Sequence, residues 1–287
     1  MPYTVAVSFD TFFDVINLPG DHRDTANARR DHIVSLLKGK MAILEAFPTG
    51  SIPRYTALRG RSDLDVVAVL HYGKHVKDKR PSEVLQAVRD ALAEYRTNVR
   101  KNGQAVTLYY GTWPNVDVVP AVRIVDGAGN ATHFHIPNAS TEEWINSNPR
   151  AHAAAIEARA SVSGPLFRQL IKMMKHWSSE HGDYLQSYHL EVMALRALTG
   201  ALNDAPWDAF QFFDGVHTMI QTPLWHDGSF ADDYLNYSDR DAVRNRLEAA
   251  VAKARDAWYQ TYPPRDNDKA AIELWRQVLG TAFPAHG

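Results

Sequence analysis

Two aspartates, Asp63 and Asp65, open a run of β-branched residues within the stretch F-P-T-G-S-I-P-R-Y-T-A-L-R-G-R-S-D-L-D-V-V-A-V-L, residues 47–70. Side chains two apart along a strand point to the same face. The two carboxylates therefore project together from the head of a strand that is otherwise apolar. Held that close they repel one another unless a divalent cation sits between them. The spacing predicts an Mg2+-dependent phosphoryl or nucleotidyl transfer site. D-x-D is also a common string, and its plainer reading is a turn or N-cap aspartate beside a surface one. A third carboxylate bears on the choice. Asp117 lies inside a second β-branched run, V-D-V-V-P at 116–120, where a buried carboxylate needs a partner. If the two runs are neighbouring strands, Asp117 completes a cluster of three carboxylates. Such a cluster is the usual protein contribution to a two-metal site whose ions also bind substrate phosphates.

The surrounding elements must hold those residues. From Asp21 the chain reads as a long helix to about Leu37, with Asp21 or Asp24 as N-cap and Ile33, Leu36 and Leu37 on one face. A break near Gly39 follows, then a strand or helix end to Phe47, stopped by Pro48. After the D-x-D strand, His71 to Pro81 reads as a basic loop. Pro81 opens an amphipathic helix to about Val99, with Val84, Leu85, Val88, Leu92 and Tyr95 at helical spacing and Asn102-Gly103 as its end. Residues 104–110, the Asp117 run and 130–136 are β-patterned. From Trp144 strands give way to helices: one from Asn148-Pro149, one after Gly164-Pro165, one opening at Ser187, one over 208–219, one from Asp239 and one over 268–279. Residues 223–237 read as a polar loop. The apolar stripe Leu166, Leu170, Met173, Met174 and Trp177 is most simply core.

The totals exclude several classes. The 287 residues, 45% hydrophobic and 22% charged, suit a folded chain of one large domain or two lobes. A net charge of −2 supplies no overall basic field for duplex nucleic acid. The absence of cysteine rules out disulfides, thiolate zinc sites and cysteine nucleophiles. No apolar run approaches the roughly 20 residues of a membrane span. The chain opens without the basic-then-apolar pattern of a signal peptide, so the expectation is a cytoplasmic monomer. His133 and His135 alternate in T-H-F-H-I, as one polar face of a strand.

Gly50-Ser51, then Asp63-Leu64-Asp65 on a strand, then Asp117 on a later one, form an ordered set that resembles the polymerase-β-like nucleotidyltransferases. The string L-I-K-M-M-K-H-W followed by L-Q-S-Y-H-L-E resembles the helical lobe of the bacterial cGAS/DncV-like nucleotidyltransferases (CD-NTases). The segments E-E-W-I-N-S-N-P-R-A-H and V-D-V-V-P-A also look typical of that group. The resemblance runs from about residue 20 to the C-terminal F-P. It implies an α/β fold: a polymerase-β-like catalytic lobe with a mixed sheet over 1–138, including an N-terminal spine helix, and a helical nucleotide-binding lobe over 139–287. The active site is expected in the cleft between them.

The resemblance also implies roles. Asp63, Asp65 and Asp117 match the ligands of two Mg2+ (or Mn2+) ions, with Asp117 also activating the attacking ribose hydroxyl. Gly50 and Ser51 match the turn that holds the donor triphosphate. A glycine lets backbone N–H groups approach phosphate, and the serine adds a donor. Lys175 and Ser187 match residues that grip the triphosphate, and Tyr188 an aromatic that stacks on a base. Asn146, Ser147 and Asn148 lie where the group contacts the acceptor base. The linker carries Arg54, Arg59 and Arg61 where such cyclases often have a smaller stretch, which Thr56-Ala57 partly matches. The arginines either help hold phosphates or only solvate the loop.

The implied activity is condensation of nucleoside triphosphates into a cyclic di- or trinucleotide second messenger for anti-phage defence. A cysteine-free chain has no cGAS-type zinc insertion. That favours constitutive activity or control by a protein partner over activation by duplex DNA. Two alternatives stay open: transfer to an RNA end, a protein or a small molecule, and a non-catalytic nucleoside triphosphate sensor.

Overall fold

The computed structural model describes residues 4–94 and 98–287. Tyr95, expected on the apolar face of the Pro81 helix, lies outside them. In chain order the elements are α1 (Val5–Ile16), α2 (Gly20–Lys40), β1 (Ile43–Thr49), β2 (Leu64–Leu70), α3 (Tyr72–His75), α4 (Pro81–Ala93), β3 (Val99–Asn102), β4 (Ala105–Leu108), β5 (Val116–Val125), β6 (Ala131–Asn138), β7 (Glu143–Ser147), α5 (Pro149–Ser163), α6 (Leu166–Glu180), α7 (Ser187–Ala197), α8 (Ala205–Met219), β8 (Trp225–His226), β9 (Ser229–Phe230), α9 (Tyr237–Gln260) and α10 (Asp268–Leu279). They form two compact units. One is Leu18–Tyr55 with Gly60–Ala153. The other holds Asn17 and the residues before it, Thr56–Arg59 and Ala154–Gly287. None of the helices is long and apolar enough to cross a membrane, among the described residues.

The first unit is a mixed sheet in the order β1-β2-β5-β4-β3, with β6 pairing β5 and β7 pairing β6. Among the described residues, β2 and β5 are the one parallel pair. β2 is central, so after Asp65 its residues Val66 to Leu70 are all buried. The Pro81 helix closes the sheet with Val84, Leu85, Val88 and Leu92 fully buried. Pro81 occupies its first turn, where no N–H is needed, and Glu83 accepts a hydrogen bond from the Arg80 N–H at 2.7 Å.

Several local expectations change here. Pro48 does not stop an element but lies within β1, opposite Val66. β1 pairs only with β2, and an edge strand tolerates a residue with no N–H to give. α2 begins at Gly20 after Pro19, so Asp21 sits in its first turn and caps nothing. The basic loop contains the short helix α3. α4 ends at Ala93, and Asn102-Gly103 belongs instead to the β3–β4 hairpin, where Asn102 pairs with Ala105 and Gly103 takes φ +60°. Glu143–Ser147 is a strand rather than a prelude to helix. Residues 225–230 form a two-residue hairpin around Asp227-Gly228, both at positive φ.

The second unit is helical around one core. α1 belongs to it. Phe9 packs on Trp275 and Phe283 at ring-centroid distances of 5.0 and 5.2 Å, and Phe12 on Phe283 at 5.6 Å. Each such ring contributes about 1.5–3 kcal/mol by burial. The α6 stripe Leu166, Leu170, Met173, Met174 and Trp177 is buried in the same core. The inserted segment Thr56–Arg59 is pinned by Arg59 N–H donating to Ile16 O at 3.0 Å, and by a bridge between Asn17 and Leu58.

Candidate active site

The parallel register of β2 and β5 sets Asp65 opposite Asp117. β1 places Thr49 beside Asp65, and β4 places Thr107 beside Asp117. These residues form one row across adjacent strands, spaced by the roughly 4.8 Å of a sheet. Asp63 immediately precedes β2, and its charge reaches Asp117. Leu64 N–H donates to Asn115 O at 2.9 Å, tying the start of β2 to the approach to β5. The sequence places Asp117 near the pair only if the two runs are neighbours, and they are.

Each carboxylate has its own neighbour. Thr107 Oγ1 donates to Asp117 Oδ1 at 2.5 Å, and Asn115 Nδ2 donates to Asp63 Oδ1 at 3.3 Å. Burial pushes the Asp117 carboxyl above its ordinary value; the Thr107 bond opposes this, and the negative charge of Asp63 adds to it. Among the described residues, no group of three acidic or histidine side chains already converges on one point. The donor set still suits hard divalent cations, which take carboxylate oxygens and draw like charges together.

Gly50 governs Asp65. It sits at φ +76°, and a Cβ added there would lie 1.7 Å from Asp65 Oδ2. The carboxylate therefore rests directly on the Gly50 α-carbon. Ser51 follows in the same turn, half-buried. Gly50→Ala meets the end of a flexible side chain, not backbone. It is expected to cost about 1–2 kcal/mol of stability from the left-handed φ. Its larger effect is to displace Asp65, and activity is expected to fall about 100-fold. Initial rates and a denaturant midpoint on the same preparation separate the two effects.

In the helical unit, Lys175 is 6% exposed on α6. Its Nζ donates to Glu191 Oε1 at 2.7 Å, to Thr56 Oγ1 at 3.2 Å and to Thr56 O at 3.3 Å. Thr56 Oγ1 donates in turn to Glu191 Oε1 at 2.6 Å. The lysine expected to grip phosphate is thus built into a buried ion pair on the inserted segment. Thr56 enters the sequence reading only through the Thr56-Ala57 match, and Glu191 carries no role there; Glu191, sixteen residues after Lys175 and fully buried, has no local pattern to mark it. Ser187 is the first residue of α7 and exposed; Tyr188, next to it, is 36% exposed, and its ring lies 6.1 Å from that of His226.

His189, two residues beyond Ser187, is 1% exposed. Burial lowers its pKa from 6.5 to about 4, against the pull of Asp232. The unfolded chain therefore takes a proton near pH 6.5 that the folded chain resists until about pH 4. This site's contribution is complete above pH 6.5 and is lost as pH falls. Stability is expected to drop by about 3 kcal/mol between pH 7 and pH 4 from this residue. Denaturant titrations at both pH values should show the slope, and His189→Asn should flatten it.

The expected base-reading residues are placed as follows. Asn146 is exposed on β7, paired with His135, and Ser147 is half-buried opposite Phe134. Asn148 caps α5, its Oδ1 accepting from Ala151 N–H at 3.2 Å. Arg59 and Arg61 are exposed and Arg54 is half-buried; Arg59 Nε donates to Asn17 O at 3.3 Å. His133 and His135 share a face of β6, with rings 5.4 Å apart.

A cyclic AMP-AMP-AMP synthase of an Acinetobacter species is 28% identical over 269 residues, covering 84% of this chain and 73% of that protein. The fold matches that of Escherichia coli MS115-1 CdnC. In the structure solved with ATP the TM-score is 0.77 at 18% identity, covering 97% of this chain and 98% of that one. In the complex of CdnC with HORMA-deltaN the TM-score is 0.76, with the same identity and coverage. The model of the Second Messenger Oligonucleotide or Dinucleotide Synthetase domain matches residues 3–159. That span takes in the whole aspartate row and its glycine turn, and the chain belongs to this family of nucleotidyltransferases.

Proposed function

We propose that the chain condenses nucleoside triphosphates, ATP among them, into a cyclic di- or trinucleotide at the row formed by Asp63, Asp65 and Asp117. The observation that carries this reading is the parallel register that sets Asp65 beside Asp117, with Gly50 beneath the Asp65 carboxylate. The three aspartates would hold two Mg2+ or Mn2+ ions, which orient a donor α-phosphate, lower the pKa of an acceptor hydroxyl and neutralise the leaving pyrophosphate.

The chain's own groups do the rest. The Gly50-Ser51 turn offers backbone N–H groups and a hydroxyl to the triphosphate. Asp117 takes the proton of the acceptor hydroxyl. The Thr107 bond fixes its orientation through Oδ1. The acceptor oxygen then bonds to the α-phosphorus as the bond to pyrophosphate breaks. Repeating the step closes the ring. Ser187, at the start of α7, adds a hydroxyl where the first turn leaves backbone N–H groups outside the helical ladder. Tyr188 offers a ring face for stacking. Lys175 is assigned to the triphosphate, and Asn146, Ser147 and Asn148 to the acceptor base. The CdnC complex with HORMA-deltaN supports control by a protein partner, and a role in anti-phage signalling follows the same likeness.

The test is incubation with radiolabelled nucleoside triphosphates and Mg2+ or Mn2+. Release of pyrophosphate with a phosphatase-resistant product of defined mass is the expected result. A linear or protein-linked product would favour transfer to another acceptor. Binding by calorimetry without pyrophosphate release would favour a sensor.

A further inference from the structure

Helix α7 begins without a side-chain cap: Gln186, at its N-cap, makes no capping bond of its own. A residue far along the chain holds the backbone at that position. The Tyr234 hydroxyl accepts the Gln186 N–H at 2.8 Å and lies 3.0 Å from His189 Nδ1. One phenol therefore holds both residues that flank Ser187-Tyr188. The hydroxyl oxygen accepts from the backbone, and the direction of its bond with Nδ1 is set by the tautomer of His189, whose Nε2 is buried without a partner. Burial holds Tyr234 protonated, with its pKa raised to about 12, and keeps His189 neutral near physiological pH.

The segment carrying Tyr234 is itself fixed. Asp232, 2% exposed, accepts from Leu224 N–H at 2.9 Å and pairs with Arg240 Nη2 at 2.6 Å. Arg240 Nη1 also donates to Ile220 O at 2.9 Å. Arg196 on α7 donates to the Trp225 carbonyl. At the tip of the same segment, the His226 ring stands beside the Tyr188 ring, tilted by 60°. The 224–235 segment is thus joined to the first turn of α7 through the Tyr234 hydroxyl and the Tyr188–His226 ring contact, and to its last turn through Arg196.

We propose that Tyr234 is a positioning residue for nucleotide recognition: its hydroxyl, shared between Gln186 N–H and His189, holds Ser187 and Tyr188 in the orientation in which they meet the nucleotide. This rests on the reading of Ser187 and Tyr188 given above. Tyr234 touches no substrate and acts through α7.

Tyr234→Phe removes only the hydroxyl. It is expected to raise KM for ATP about three- to tenfold, the worth of one hydrogen bond, with kcat within about twofold. Amide exchange at residues 186–189, followed by mass spectrometry, is expected to quicken about tenfold without change at α10. His189→Leu should reproduce both effects, while His189→Asn, whose side-chain amide can accept or donate where Nδ1 did, should keep KM and exchange near the parent values. Unchanged KM in Tyr234→Phe, while Tyr188→Ala raises it, overturns the proposal. So does a uniform fall in kcat and thermal midpoint with no change in KM, which is the signature of a merely structural residue. If Tyr188→Ala itself leaves KM unchanged, the reading of Tyr188 fails instead. The exchange rates then decide whether Tyr234 orders the turn, and unchanged exchange in Tyr234→Phe overturns that as well.

Discussion

The double substitution Asp63→Ala/Asp65→Ala is expected to lower the rate of pyrophosphate release at least about 10³-fold. On the proposed assignment it removes the oxygens that hold the ions. The several kcal/mol of charge stabilisation those ions provide correspond to a factor of ten per 1.36 kcal/mol. The same variant should not lose stability. The Asp63 charge pushes on a half-buried Asp117, so removing it relieves like-charge crowding. The denaturant midpoint is expected to stay level or rise, as happens where a site is kept for function at a cost in stability. Asp117→Asn, close to isosteric and still able to meet Thr107, should be as inactive. Full activity in the double variant would remove the row from the mechanism. Loss of activity together with a collapsed midpoint would point to folding instead.

Lys175→Met should be the most destabilising single change in the helical unit. It leaves Glu191, fully buried, without the ammonium 2.7 Å away, and strips Thr56 of the same partner. Breaking a buried pair from one side costs about 3–5 kcal/mol, because a charge is left without compensation. The double variant Lys175→Met/Glu191→Met should recover most of that, since no ion remains to be buried. It also tests the phosphate role. If Lys175 only anchors the 56–59 segment, the folded double variant keeps its KM for ATP. If Lys175 also meets the triphosphate, KM rises about tenfold or more while stability is restored, reflecting a lost charge-assisted bond of about 1.5–3 kcal/mol. Thermal midpoints and KM on the single and double variants give the answer.

Much of the molecule was legible beforehand where the signal is local. The amphipathic stripes of α4 and α6 announce themselves by spacing, and α10 spans the expected 268–279. The β-branched runs around Asp65 and Asp117 were legible as strands for the same reason. Legibility failed where a short element has no period to show. Glu143–Ser147 becomes a strand because β6 offers it an edge, not because five residues insist on it. Asn102-Gly103 suits a helix end and a hairpin turn alike, and the β3–β4 pairing chose the turn. Pro48 reads as a stop until the sheet order shows β1 at the edge.

The candidate site divides along the same line. Residue types and spacing alone set out the acidic pair, the later aspartate and the Gly-Ser turn, because a strand's two-residue period and a glycine's freedom are local properties. Only the tertiary structure decided that β2 and β5 are parallel neighbours in a register that puts Asp65 beside Asp117. Only it showed Gly50 pressed against that carboxylate. It also turned Lys175 inward onto Glu191 and Thr56, and it brought Tyr234 across 48 residues of chain to the Gln186 N–H. Those contacts depend on which surfaces pack and which buried charges find partners, and no spacing along the chain encodes that.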